Sequence, residues 1–311
     1  MPLDPRARRL LDILAAANPP SALSLSVAER RDALAQLMKM SGPGESLEFI
    51  DDFDIPGPGG TLAVRRYTPA AGTSTSTPGL VYFHGGGLVA GTIDTHDRIA
   101  RALATACGYR VLSVGYRLAP EHQFPAAVED AVAAVRHVIE HAAPLGLDPK
   151  RIVVCGDSAG ATLAAVACQE LTGTTGQGPA LQVLICPILD HGGSTESRRQ
   201  FSSGYLVDQA TLDHDLLYYL PAGTNRSDPR VSPLRSSNLS SLPPTIIHTA
   251  EFDPLRDEGH AFAKRISAAG PRTAYTCHPG MIHLFYGLAG VIPYARTAFA
   301  QLGVEIRAAI E

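Results

Sequence analysis

From residue 79 onward, apolar stretches with a strand-like composition alternate with amphipathic stretches of helical period. The pattern predicts strands at 80–83, 110–115, 151–155, 181–186, 244–249 and 273–277. It predicts helices at 95–107, 126–142, 158–172 and 257–269, and a last helix from about 292. Continuous apolar strands separated by helices are typical of a parallel sheet that is buried on both faces. The chain therefore favours an α/β fold with helices on both sides of the sheet.

Two segments depart from this alternation. Residues 1–45 predict two helices, and Ser26 with Glu29 would form a capping box at the start of the second one. Residues 190–222 are polar at first and then rich in aromatic residues and leucine. Open α/β sheets bind ligands at the carboxyl edge of their strands. We therefore expect 1–45 and 190–222 to cover that edge as a helical cap, with 46–311 as the main domain.

Composition excludes several classes of function. The chain has 311 residues, is 45% hydrophobic and 18% charged, and has a formal net charge of −4. Mean hydropathy is +0.05, and no apolar run approaches a membrane span of about 18–20 residues. We expect no nucleic-acid partner and no stable membrane insertion. His137 and His141 have the helical spacing of a metal pair, but no third ligand accompanies them, so no metal site is predicted.

Cysteine usage and the first residues bear on location. The five cysteines are scattered without a Cys-x-x-Cys pair, which favours reduced, buried thiols in a cytoplasmic protein. Arginines before the apolar stretch 10–17 imitate a signal peptide, yet Asp4 and Asp12 interrupt that pattern. An amphipathic helix is the better interpretation of this segment.

Two glycine-rich motifs each follow an apolar strand. His84-Gly85-Gly86-Gly87 follows strand 80–83, and Gly156-Asp157-Ser158-Ala159-Gly160 follows strand 151–155. A serine on a tight strand-to-helix turn is the usual nucleophile of an α/β hydrolase, and a glycine loop can offer N–H groups to an oxyanion. We expect Ser158 to attack, and Gly85, Gly86 and Ala159 to donate to the oxyanion. Asp157 is expected to be a hydrogen-bonded structural acid.

A serine nucleophile needs a base, and the base needs an orienting acid. In this fold both follow the serine, the acid first. Asp253 stands directly after strand 244–249, whereas Asp257 and Glu258 fall in the first turn of the next helix. Of the histidines that follow, His283 stands on a loop beyond the last strand, whereas His278 is expected to close that strand. We predict Asp253 as the acid and His283 as the base.

These motifs, together with Tyr116–His122, Phe124–Ala127 and Asp253–Gly259, resemble the bacterial hormone-sensitive-lipase-like esterases along nearly the whole chain. The resemblance implies an α/β-hydrolase fold with a mostly parallel, eight-stranded sheet and a helical cap. It implies no cofactor and hydrolysis of short to medium acyl esters through an acyl-enzyme on Ser158. It also implies the same triad and oxyanion donors, and it makes a homodimer through the last strand an expectation.

The chain departs from the family pattern in two places. The family usually has glycine after the catalytic histidine, where this chain has Leu284, and the cap contains no tryptophan. We expect Phe201, Tyr205, Leu206 and Leu284 to line the substrate pocket, although ordinary packing under the cap explains such apolar residues equally well. An amidase or carbamate hydrolase with the same triad is the main alternative, and a non-catalytic small-molecule receptor on this fold is a further one.

Overall fold

A computed structural model describes residues 2–17, 20–70, 76–172 and 178–310 of the chain. Its eight strands form a single sheet in the order β1-β2-β4-β3-β5-β6-β7-β8. The strands are β1 Phe49–Gly57, β2 Gly60–Thr68, β3 Thr77–Phe83, β4 Arg110–Gly115, β5 Leu147–Asp157, β6 Leu181–Ile185, β7 Thr245–Phe252 and β8 Thr273–Ile282. Strand β2 pairs antiparallel with both of its neighbours, β1 and β4, whereas β3 to β8 all run parallel to one another. The predicted α/β-hydrolase sheet is confirmed.

Helices cover both faces of the sheet. They are α1 Pro5–Ala16, α2 Val27–Met38, α3 Asp97–Cys107, α4 Ala126–Glu140, α5 Ala159–Leu171, α6 Glu196–Gln200, α7 Gln209–Tyr219, α8 Arg256–Ala269 and α9 Tyr294–Ile310. One apolar core lies under α4, α5 and α8, and a second one lies under α3, α9 and the N-terminal helices. No helix among the described residues has the length and apolarity needed to cross a membrane.

The N-terminal helices begin and end where local chemistry favours it. Asp4 caps α1 by accepting from the N–H groups of Arg6 and Ala7. Ser26 and Glu29 form the predicted capping box of α2, with donors and acceptors paired in both directions. Arg31 then ties α2 to the main domain, since it donates to the carbonyls of Val89 and Ala119 and pairs with Glu121.

Segment 190–222 contains α6 and α7, and α7 meets the N-terminal helices through a buried ion pair. Arg30 of α2 donates to Asp215 Oδ2 of α7 at 3.0 Å. On the other side, Arg198 of α6 pairs with the buried Glu258 of α8 at 2.5 Å. The two segments predicted to form a cap thus contact each other and the main domain. The division into 1–45 and 46–311 stays a prediction.

One strand is longer than its sequence pattern indicated. The last strand was expected at 273–277, but β8 continues to Ile282, because Phe252 of β7 pairs with Ile282 after a shift in register. His278 therefore lies inside the strand and not at its end. His283 follows β8 directly, as expected.

Candidate active site

Ser158 occupies the turn between β5 and α5 in a strained conformation. Its φ of 53° and ψ of −118° lie outside the regions that L-residues favour. A Cβ on Gly156 would collide with the Gly160 carbonyl, and a Cβ on Gly160 would collide with the Phe83 carbonyl. Glycine at both positions lets the strand, the turn and the helix pack closely enough to hold Ser158 in this conformation.

The structure brings Ser158, His283 and Asp253 into one hydrogen-bonded line. His283 Nε2 lies 3.0 Å from Ser158 Oγ. His283 Nδ1 lies 2.8 Å from Asp253 Oδ2, so Nδ1 holds the proton that Asp253 accepts. The other carboxylate oxygen of Asp253 accepts from the Leu255 N–H at 2.8 Å. All three side chains are buried, with Ser158 at 8% exposure the least so.

The alternatives for base and acid lie elsewhere. His278 contacts His248 and Tyr294 in a separate buried network. Asp257 accepts from the Ser197 N–H and pairs with Arg256. Neither one takes part in the line that ends at Ser158.

The charge of Asp253 sets the protonation of His283. Burial alone would lower the pKa of His283, but the charge and hydrogen bond of Asp253 outweigh it and raise the pKa above the usual 6.5. A base with a raised pKa takes a proton from serine more readily, provided that the pH keeps it neutral beforehand.

The hydrogen bonds of the glycine loop bear on the predicted oxyanion donors. The Gly85 N–H donates to Asp157 Oδ1 at 3.0 Å, so it already has an acceptor. Among the described residues, no acceptor is bonded to the N–H groups of Gly86, Gly87 or Ala159. Gly86 and Gly87 have φ values of 119° and 69°, which only glycine adopts readily. The Gly87 N–H is therefore a further candidate donor, and the assignment of Gly85, Gly86 and Ala159 to the oxyanion stays a prediction.

Asp157, the residue before the nucleophile, is the structural acid that the sequence suggested. Its Oδ1 accepts from Tyr82 Oη at 2.5 Å as well as from Gly85. Burial raises its pKa, in opposition to these hydrogen bonds. His84 stacks on Tyr116, which donates to the His84 carbonyl at 2.7 Å. Both residues therefore hold the glycine loop in place.

A cysteine that the sequence did not point to lies beside the triad. Potential ligand atoms of Cys186, Asp253 and His283 lie within 4.8 Å of one another. Burial raises the pKa of the Cys186 thiol, and the nearby Asp253 charge raises it further, so the thiol stays protonated. Since metals bind the thiolate, this group is a poor metal site. The expectation of no metal stays a prediction.

Residues 80–287, more than half of the chain, match the sequence profile of a protein family that is described by its α/β-hydrolase fold. The chain belongs to this α/β-hydrolase family. The resemblance to hormone-sensitive-lipase-like esterases is thereby confirmed.

Similar members of the family are named as esterases. The chain is 41% identical to the carboxylic ester hydrolase LipN of Mycobacterium tuberculosis, covering 84% of this chain and 70% of that one. It is 34% identical to an arylesterase of Saccharolobus solfataricus, covering 92% of this chain and 93% of that one. An ester hydrolase from the metagenome of Lake Arreo superposes with a TM-score of 0.96 at 38% identity, over 98% of both chains.

The four residues expected in the pocket lie in different surroundings within this α/β hydrolase. Phe201 is buried between Tyr205 and Phe252, with the Arg256 guanidinium over its ring. Tyr205, Leu206 and Leu284 are partly buried against the core below the N-terminal helices. Leu284 follows the base with a φ of 64°, a left-handed conformation. Their contact with substrate stays a prediction.

The sequence pattern did not single out the polar residues of α7. Asp215 lies on the same helical face as Leu212, Leu216 and Tyr219, at spacings of three and four residues. The Asp215 carboxylate, placed among apolar residues on one face of a helix, was the signal in the sequence that could have indicated a buried polar site. The role of Asp215 could not be read from the sequence, because its partner Arg30 lies far away along the chain and pairs with it only in the folded protein.

Proposed function

We propose that this protein is a serine carboxylesterase that hydrolyses short to medium acyl esters through an acyl-enzyme on Ser158. The observation that carries the proposal is the continuous line from Asp253 Oδ2 through the His283 ring to Ser158 Oγ, with contacts of 2.8 and 3.0 Å. The relatives named as ester hydrolases support the choice of reaction.

Each proposed role follows from the position of an atom. His283 Nε2 accepts the Ser158 proton as Oγ attacks the ester carbonyl, and Asp253 stabilises the imidazolium that forms. The N–H groups of Gly86, Gly87 and Ala159 donate to the oxyanion, helped by the positive end of α5. His283 then returns the proton to the leaving alcohol. Water repeats the same steps on the acyl-enzyme and releases the acid.

The test is a Ser158→Ala variant assayed on p-nitrophenyl esters of increasing acyl length. Loss of a serine nucleophile lowers kcat by about 10⁶ in a comparable enzyme, so we expect activity near background. Ser203→Ala, at an exposed serine of the cap segment, is the matched control and should keep wild-type rates. Full activity in Ser158→Ala would overturn the proposal.

The same experiment separates the alternatives. An anilide and a carbamate in the substrate panel test for an amidase or carbamate hydrolase, which would cleave them faster than the matched ester. Acid quenching during turnover, followed by mass spectrometry, should find the acyl group on the peptide that contains Ser158. Tight metabolite binding without turnover of any ester would instead favour a receptor.

We also infer a homodimer that pairs through β8. This strand is at one edge of the sheet, with β7 as its only strand neighbour among the described residues. An exposed parallel edge invites a second strand. Light scattering coupled to gel filtration should give twice the chain mass.

We further infer a cytoplasmic location, supported by five free cysteines of which four are buried.

A further inference from the structure

A small, partly open cavity lies between the glycine loop and the cap helix α7. Its volume is about 20 Å³, enough for one water-sized group. Gly87 and Ile188 form its inner wall, and Asp215, Leu216 and Tyr219 of α7 form its outer wall. The cavity therefore lies directly behind the loop that we propose to bind the oxyanion.

Three buried polar atoms around this cavity lack partners. Among the described residues, none is hydrogen-bonded to His191 Nε2, Asp215 Oδ1 or Tyr219 Oη, and all three residues line the cavity. Asp215 is 4% exposed and Tyr219 is 1% exposed. Buried polar groups are nearly always hydrogen-bonded, so three orphaned atoms around one water-sized space indicate that something polar occupies it.

The inner wall of the cavity is formed by residues that adjoin the reaction centre. A Cβ on Gly87 would collide with the Asp215 carboxylate, so that carboxylate packs directly over the loop. The Ile188 N–H donates to the Ser158 carbonyl at 3.2 Å. A group in the cavity is thus separated from Ser158 only by residues that contact Ser158 or belong to the glycine loop.

The charges of the lining favour a neutral guest that can both donate and accept. Burial lowers the pKa of His191 to about 3, so its ring is neutral. Burial raises the pKa of Tyr219, so its hydroxyl keeps its proton and can donate. Asp215 Oδ2 is already paired with Arg30, which leaves Oδ1 to accept. Asp213 and Arg198 also line the cavity, and their opposite charges leave no net preference for a cation or an anion.

We propose that this cavity is a subsite for a hydroxyl group of the substrate, which donates to Asp215 Oδ1 and accepts from Tyr219 Oη. The preferred esters would then have a free hydroxyl a few bonds from the scissile carbonyl, in either the acyl or the alcohol part. The inference rests on the proposed esterase function and narrows its substrate class. In the absence of such an ester, a water fits the same space.

The experiment compares isosteric esters in which a methyl replaces the hydroxyl. For the acyl part, p-nitrophenyl 3-hydroxybutanoate is compared with p-nitrophenyl 3-methylbutanoate. For the alcohol part, 2-hydroxyethyl butanoate is compared with propyl butanoate. Each kcat/KM is divided by the rate of alkaline hydrolysis of the same ester, which removes intrinsic reactivity. We expect the hydroxylated ester of one pair to be preferred at least about 10-fold, and that pair identifies the part that enters the cavity.

Tyr219→Phe supplies the second measurement, because it removes one partner of the guest and keeps the ring. We expect the preference to fall towards 1, mainly through a higher KM for the hydroxylated ester. Tyr218→Phe removes a hydroxyl from the same helix outside the cavity lining and should keep the wild-type preference. Asp215→Asn keeps the shape of the side chain and should also weaken the preference.

The outcomes separate the two proposals. If no ester of either pair is hydrolysed, the esterase proposal itself fails. If all four are hydrolysed without preference for a hydroxyl, the esterase stands and the subsite is overturned. A preference that Tyr219→Phe leaves intact also overturns it, because the hydroxyl would then be recognised elsewhere.

Discussion

The Asp157 carboxylate accepts a hydrogen bond from the Gly85 N–H at 3.0 Å, so the residue before the nucleophile holds the first glycine of the loop. The same oxygen accepts from Tyr82 Oη, which anchors the carboxylate to β3. The Asp157 side chain therefore joins the two glycine-rich motifs to each other. The positions of the glycine loop and of Ser158 therefore depend on the same side chain.

This linkage predicts a strong effect of Asp157→Ala. The variant leaves the Tyr82 hydroxyl and the Gly85 N–H buried without their acceptor, at about 1–3 kcal/mol each in the free energy of unfolding. We also expect a fall in kcat of about 10-fold or more, because the donors of Gly86 and Gly87 lose their fixed position. Urea unfolding and ester kinetics measure the two effects.

Asp157→Asn is the matched control, because its side-chain oxygen can still accept from both donors. It should recover most of the stability and most of the kcat that Asp157→Ala loses. Equal losses in the two variants would mean that the charge matters, and not the hydrogen bonds.

The orienting acid can be tested against its neighbour in sequence. Asp253→Asn should lower kcat by about 10⁴, as loss of the acid does in a serine protease, because the amide favours the wrong histidine tautomer. Asp257→Asn is the control, since Asp257 lies in the first turn of α8 and pairs with Arg256. It should change kcat less than about threefold. The reverse ranking of the two variants would show that the acid is misassigned.

The pH dependence of kcat/KM follows from His283. Its pKa is raised by Asp253, and only the neutral ring can accept the serine proton. Activity should therefore be lost as the pH falls through a value above 6.5. In Asp253→Asn the charge that raises the pKa is gone, so the acid limb of the remaining activity should move to lower pH. A limb that moves upward or stays in place would contradict the role of Asp253.

Leu284 offers a test of backbone strain beside the base. A left-handed conformation costs an L-residue about 1–2 kcal/mol, and glycine is free of that cost. Leu284→Gly should therefore be about as stable as Leu284→Ala or more stable by about 1 kcal/mol. At Leu288, which is buried in the same short turn without a positive φ, the glycine variant should be the less stable one. Thermal unfolding of the four variants gives both differences.

The sequence predicted most of the fold and the line of Ser158, His283 and Asp253, because local patterns encode them. Strand periodicity, glycine at steric contacts and chain order each need only a few neighbouring residues. The hydrogen bonds of the glycine loop were harder to predict. Gly85 and Gly87 are the same residue type, and only the position of the Asp157 carboxylate shows which N–H group already has an acceptor. The polar cavity was missed for the same reason, since it depends on α2, the glycine loop and α7 meeting in space.

The Arg30–Asp215 ion pair joins residues separated by 185 positions along the chain. A ribosome therefore completes α2 long before its partner helix exists. Until then the apolar side of the N-terminal helices, including Leu10, Leu11 and Leu34, has no finished core to cover it. The N-terminal helices can therefore reach their native packing only after most of the chain has been synthesised.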